Sequence, residues 1–290
     1  MQKIIQFKKE RELGDVLGDT FKFVRENYKL LFKALVKFAG PVFLIQLFAT
    51  GYYTFTASDL EKIFSGAGQI NSGFGFNMVL AMLFMFITSI AYQAFMYGTI
   101  QHSIKSYVKN NGEINLDEVG HGMNQDWGSF LGLGFVIFAM VFAGIMFCFI
   151  PGIYLMVPLS LAYSIKTFDR LSFSETISHC FRLVKDNWWI TFFTLLVMGI
   201  IVYLMSMIFQ IPALIYTMTK TFTAVQEGSY SDPSFMFDWV YLALSVVANA
   251  AQSIIFGILA ISVAFIYFSL NEQKNHTGAY EAIDNLGKDQ

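Results

Sequence analysis

The chain has 290 residues, of which 55% are hydrophobic, 17% aromatic and only 14% charged, against roughly 25% charged in ordinary soluble domains. So few charged groups cannot cover a soluble surface, which excludes a disordered chain, a disulfide-stapled secreted domain and a basic nucleic-acid module. The formal charge of −2 attracts no charged partner globally, and Cys148 and Cys180 form neither a disulfide framework nor a zinc spacing.

What remains is an all-α polytopic membrane protein. The N-terminal stretch is charged and amphipathic and lacks the early apolar run and small-residue cleavage site of a signal peptide. Beyond it, residues 76–100, 127–165, 187–219 and 239–271 contain no Asp, Glu, Lys or Arg. A bilayer core takes about 20 helical residues to cross, and an unpaired charge there costs at least a few kcal/mol. Six spans are therefore expected. The first is Leu30 to Tyr53, with Lys33 and Lys37 snorkelling to one surface. The second is Phe76 to Ile100. The third and fourth divide the run Ser129 to Phe168 at Pro151-Gly152, the natural hairpin turn. The fifth is Trp188 to Tyr216, with Pro212 as a kink or end. The sixth lies within Phe237 to Leu270, which exceeds one crossing and so must be tilted, bent or partly outside the bilayer.

Six spans put both termini on one side. Of 19 Lys and Arg residues, all but Lys62 and Lys220 then share that side, which the positive-inside rule makes cytoplasmic. Tyr28, Trp127, Trp188 and Trp189 fall at inner span ends, as an aromatic belt requires. The expected location is the bacterial cytoplasmic (inner) membrane.

An internal repeat is visible at an offset of 160. DVLGDTFKFVRENYKL (15–30) aligns without a gap on ETISHCFRLVKDNWWI (175–190). Leu13, Leu17, Phe21, Val24 and Tyr28 correspond to Phe173, Ile177, Phe181, Val184 and Trp188, in steps of three and four that share one helix face. A weaker copy is Leu116, Val119, Met123 and Trp127. The expected plan is one membrane domain over 1–290 with units of about 11–100, 114–168 and 172–270, followed by a cytoplasmic tail, 271–290. Each unit is a cytoplasmic amphipathic helix followed by a hairpin of two spans. The surface helices would turn Lys22, Arg25, Lys29, Arg182 and Lys185 toward anionic headgroups, at about 1 kcal/mol each.

At these residues the chain resembles the membrane domain attached to some bacterial glycerophosphoryl diester phosphodiesterases, and that domain's stand-alone, uncharacterised relatives. The shared pattern is Pro151, Gly152, Tyr154 and Leu155, then Phe181, then Asn187 and Trp188; the opening RELGDVLGDTFKFVRENYKLL is similar too. The resemblance implies a hairpin and a surface helix. It implies no diesterase chemistry, because the N-terminal arm and the 101–128 loop are each shorter than the ~40 residues needed for independent folding.

The sequence shows no zinc-protease, nucleophile-elbow or phosphate-loop motif, no carboxylate in a span core, and no nucleophile with a base beside it. His102, His121, His179 and His276 are expected outside the spans. The first three share the cytoplasmic face, where ordinary interfacial histidines outweigh a metal site. Gln46, Gln93, Gln210, Asn249 and Gln252 lie in spans. Gln93, Asn249 and Gln252 are the candidate polar span face, read first as interhelical glue and second as the lining of a path. The outer loops Thr54–Gly75 and Met218–Met236 carry Asp59, Glu61, Glu227 and Asp232 as solvated charges. No cofactor, metal or nucleic acid is expected. The partners expected are the lipid bilayer with its anionic headgroups and a membrane-protein partner. The expected function is a non-enzymatic scaffold or assembly partner; the alternative is a transporter or channel for a neutral or amphiphilic solute or lipid.

Overall fold

The computed structural model describes residues 4–64, 74–226, 239–278, 280 and 283. Among these, regular structure is helical throughout: α1 Leu13–Phe38, α2 Gly40–Phe64, α3 Phe74–Lys109, α4 Leu116–Phe147, α5 Phe149–Leu159, α6 Ala162–Asp169, α7 Phe173–Val184, a 3₁₀ turn Lys185–Asn187, α8 Trp188–Gln226, α9 Trp239–Ile255 and α10 Gly257–Asn275. Five stretches are long and apolar enough to cross a membrane: 75–109, 116–147, 149–169, 173–223 and 239–275. The count becomes six if the bent pair Leu13–Phe38 and Gly40–Ala57 is taken as one span. Membrane-spanning helices in this number support a multi-pass membrane protein.

Several boundaries differ from expectation. The stretch expected as the first span, Leu30 to Tyr53, is not one straight helix, because α1 runs from Leu13 to Phe38 and the chain bends by 68° at Ala39 before α2. Lys29, Lys33 and Lys37, four residues apart, keep that stretch charged on one side, and Pro41 opens α2 where its missing N–H is harmless. The Leu116–Trp127 segment is not a separate surface helix. Asn115 caps α4 by accepting from Asp117 N–H (2.9 Å) and Glu118 N–H (3.4 Å), and no breaker interrupts the helix before Phe147. Pro151-Gly152 is not the hairpin turn. The reversal occurs at Cys148, whose backbone is extended. Pro151 sits in the first turn of α5, where proline is tolerated. Gly152 is buried against α4: a Cβ on Gly144 would lie 2.9 Å from the Gly152 Cα. The fourth apolar stretch is interrupted at Ser160-Leu161, between α5 and α6, just after Pro158 in the last turn of α5. Pro212 lies inside α8 and does not end it. The long sixth segment is interrupted at Phe256, between α9 and α10. Parts of the outer loops, with Glu227 and Asp232, and most of the tail fall outside the described residues.

Packing divides the chain into two units. The first comprises residues 1–40, 93–201 and 257–290; the second comprises 41–92 and 202–256.

In the first unit α10 is the core. Buried residues recur all round it, from Gly257 to Glu272, as a helix enclosed by neighbours requires. α1, α6 and α7 pack on it. The segment before α1 is tucked in beside it. Phe7 stacks on Phe265 (centroids 4.5 Å apart) and meets Phe23, Phe268 and Tyr107 edge-on (5.4, 5.4 and 5.8 Å). Arg11 lies over the Phe265 ring (4.7 Å), pairs with Asp19 (2.9 Å) and donates to the carbonyls of Gln6, Phe7 and Lys9. The Arg11 N–H donates to Ser269 Oγ (2.9 Å), which donates back to the Arg11 carbonyl (3.2 Å). Burial pushes the Arg11 pKa down, against the pull of Asp19.

The buried face of α1 is Val16, Thr20, Phe23, Leu31 and Ala34. It stands one step round from the expected stripe, whose Leu13, Leu17, Phe21 and Val24 are only half-buried and whose Tyr28 is exposed. The physical reason is that α10 meets the neighbouring stripe. At the offset of 160, Thr176, Cys180, Leu183, Thr191 and Thr194 are buried in turn, and Lys185 is exposed like Arg25.

In the second unit most of the described buried positions are small or hydroxyl-bearing, namely Ala49, Thr56, Ala81, Thr88, Ser206, Ala213 and Ala248, with Ile90 and Val202 beside them. Polar contacts join its helices. Gln46 Nε2 donates to Ser89 Oγ (3.4 Å), Gln210 Nε2 to Gln252 Oε1 (3.2 Å), and the Tyr92 hydroxyl to the Ser253 carbonyl (3.3 Å).

Candidate functional site: a charged cleft between α3 and α4

The first unit holds a cleft of about 590 Å³ lined by His102, Lys105, Ser106, Lys109, Asp117, Glu118, His121, Gly122, Gln125 and Arg170. His102, Lys105, Ser106 and Lys109 are spaced by three and four, so they form one face of α3. Asn111 and Gly112, both at positive φ, end that helix as left-handed residues commonly do. The turn returns the chain so that α4 presents Glu118, His121, Gly122 and Gln125 to the same space.

Glu118 fastens the turn. Its carboxylate accepts from Lys109 Nζ (2.6 Å), Ser106 Oγ (2.8 Å) and Asn110 Nδ2 (2.8 Å). Ser106 Oγ in turn accepts from Asn115 N–H (2.9 Å) and Asn110 Nδ2 (3.1 Å). The hydroxyl beside this carboxylate therefore has its lone pairs occupied and serves as a structural lock, not as a free nucleophile.

His102 was expected outside the spans. It lies instead inside α3, 5% exposed, because α4 comes close at Gly122: a Cβ there would fall 2.3 Å from His102 Nδ1. Its Nε2 is 3.2 Å from Asp126 Oδ2, within ion-pair reach but without hydrogen-bond alignment. Lys105 Nζ donates to the Thr167 carbonyl. Arg170 caps α6 in the left-handed conformation, φ 53° and ψ 31°, which costs a residue bearing a Cβ about 1–2 kcal/mol. No ion pair or hydrogen bond engages the Arg170 guanidinium among the described residues.

A second polar cluster lies in the same unit. The Tyr267 hydroxyl donates to Asp169 Oδ1 (2.6 Å), and His179 Nε2 is 3.8 Å from Asp169 Oδ2. His102 and His121 thus share the cleft while His179 sits with Asp169. Among the described residues no three metal-ligating side chains converge.

The expected polar span face is not assembled as one feature. Gln93 is exposed in the first unit. In the second, half-buried Asn249 donates back to Ser245 O (2.7 Å) and Gln252 is bonded to Gln210. Arg25, Lys29, Arg182 and Lys185 are exposed and Lys22 half-buried. Lys105, Arg170 and the His102–Asp126 pair were missed in the sequence. The spacing 102, 105, 106, 109 was the available signal for the α3 side. Nothing local announced Arg170.

Comparison with family models, curated proteins and solved structures gives no match.

Proposed function

We propose that the protein is a non-enzymatic scaffold or assembly partner of the cytoplasmic membrane, with both termini inside. The observation carrying this reading is that polar side chains within the helices are bonded from helix to helix. Gln46 meets Ser89, Gln210 meets Gln252, and Gln101 Nε2 donates to the Ala260 carbonyl (3.0 Å). Groups used this way hold helices together, at about 0.6 kcal/mol each on average, with 1–2 kcal/mol at the upper end; they do not line a path or relay protons. Large apolar side chains that point outward, among them Phe142, Met146, Phe147 and Ile150 on α4 and α5, suit lipid or another membrane protein.

The shared burial at positions 160 apart supports a duplicated unit of α1 with its following span and α7 with α8. The third copy belongs to this proposal only as the opening turns of α4. The basic residues Arg25, Lys29, Arg182 and Lys185 would rest on the inner leaflet.

The test is purification in mild detergent. A stoichiometric membrane-protein partner is expected to co-elute. Recovery of a partner-free monomer that moves solute in liposomes would overturn the reading.

A further inference from the structure

We propose that the α3–α4 cleft binds a phosphate group, from a lipid headgroup or from a soluble phosphate ester, held between Lys105 and Arg170. The carboxylates of the cleft are the first consideration. Glu118 is fully occupied by Lys109, Ser106 and Asn110, so the Lys109–Glu118 pair contributes no net charge. Asp126 faces His102, and Asp169, beyond the rim, is engaged by Tyr267. Asp117 lies on the exposed first turn of α4.

The cations are used differently. Among the described residues, Lys105 is bonded only to a neutral carbonyl and the Arg170 guanidinium has no partner. Two cations thus line one space, the half-buried Lys105 and the exposed Arg170. A guanidinium fork and an ammonium together match the oxygens of a phosphate. Exposed His121 offers a further polar side chain in the same cleft, while buried His102 faces Asp126. The volume of about 590 Å³ falls within the 300–1,000 Å³ of small-molecule sites. It leaves room for the group esterified to the phosphate.

The proposal does not depend on the scaffold reading, and a missing protein partner would leave it intact. The test uses the full chain in two arms. In nonionic detergent, glycerol 3-phosphate is titrated by calorimetry with glycerol as the neutral control. In nanodiscs of phosphatidylcholine doped with phosphatidic acid, retained lipid is counted by native mass spectrometry. Saturable binding is expected in at least one arm, weakened about tenfold or more by Arg170→Gln and by Lys105→Gln, and unchanged by Lys185→Gln. Binding in the first arm alone identifies a soluble ester; binding in the second alone identifies a headgroup. Arg170→Gln keeps a Cβ at the left-handed position and removes no recorded bond, so it decides the matter alone if Lys105→Gln does not fold. Absence of binding in both arms, or an Arg170→Gln protein that binds like the parent, overturns the proposal.

Discussion

α4 and α10 read alike in the sequence and end in different surroundings. Both are apolar runs with a span's length. Yet α10 buries 14 of its 19 residues and α4 only 6 of its 32. The difference is not the supply of small residues, because α4 carries Gly120, Gly122, Gly128, Gly132, Gly134, Gly144, Ala139 and Ala143 as α10 carries Gly257, Ala260, Ser262, Ala264 and Ser269. It lies in the neighbours. α1, α6, α7 and Phe7 pack round α10, whereas α4 points Phe135, Phe138, Phe142, Ile145, Met146 and Phe147 outward. In oil, apolar surface gains nothing by burial against more apolar surface, so such an outward face is stable as it stands.

The strongest way to break this contrast is to attack what α10 encloses. Arg11→Met removes a guanidinium held over the Phe265 ring, breaks its pair with Asp19 and withdraws a donor from the carbonyls of Gln6, Phe7 and Lys9, while leaving the backbone bonds to Ser269 in place. A loss of about 3–5 kcal/mol is expected from removing one partner of a buried charge pair, read as a fall in the unfolding midpoint of the detergent-solubilised protein. A matched pair sharpens the comparison. Ala264→Leu, at a fully buried position of α10, should cost about 1–3 kcal/mol by overpacking. Ala143→Leu, at an exposed position of α4, should stay within about 0.5 kcal/mol. Equal losses would show that the two helices do not differ in enclosure. Tyr267→Phe deletes the hydrogen bond to Asp169 and is expected to cost about 1 kcal/mol in the same assay. Smallest of all, Phe147→Ala, at a side chain 91% exposed, should change stability by less than about 0.5 kcal/mol. If the α4 tip docks a membrane protein, the same substitution reduces co-elution of that partner.

The helical, membrane-spanning class was legible because stretches without charge report the solvent they occupy. The 160-residue correspondence was legible for α1 and α7, although the face named for it was one step off. Periodicity gives an apolar stripe but not which of two adjacent stripes meets a neighbour. The hairpin at Pro151-Gly152 was misplaced because the two residues break a helix in general but not in its first turn, where Gly152 serves close packing against Gly144 instead. The bend at Ala39 inside the expected first span, and the continuity of α4 through Trp127, were not legible because no local signal separates an amphipathic stretch from the apolar run it continues into. The cleft escaped notice because Lys105 and Arg170 lie 65 positions apart and meet only where α6 packs beside α3, as the Lys105–Thr167 bond and the Tyr97–Tyr163 ring contact show.

The mutual hydrogen bonds between Arg11 and Ser269 set an order of events during synthesis. At about 5–20 residues per second, a ribosome takes roughly 13–50 s to travel from codon 11 to codon 269. Throughout that interval the Arg11 backbone N–H and carbonyl must stay hydrated, because the helix carrying Ser269 does not yet exist.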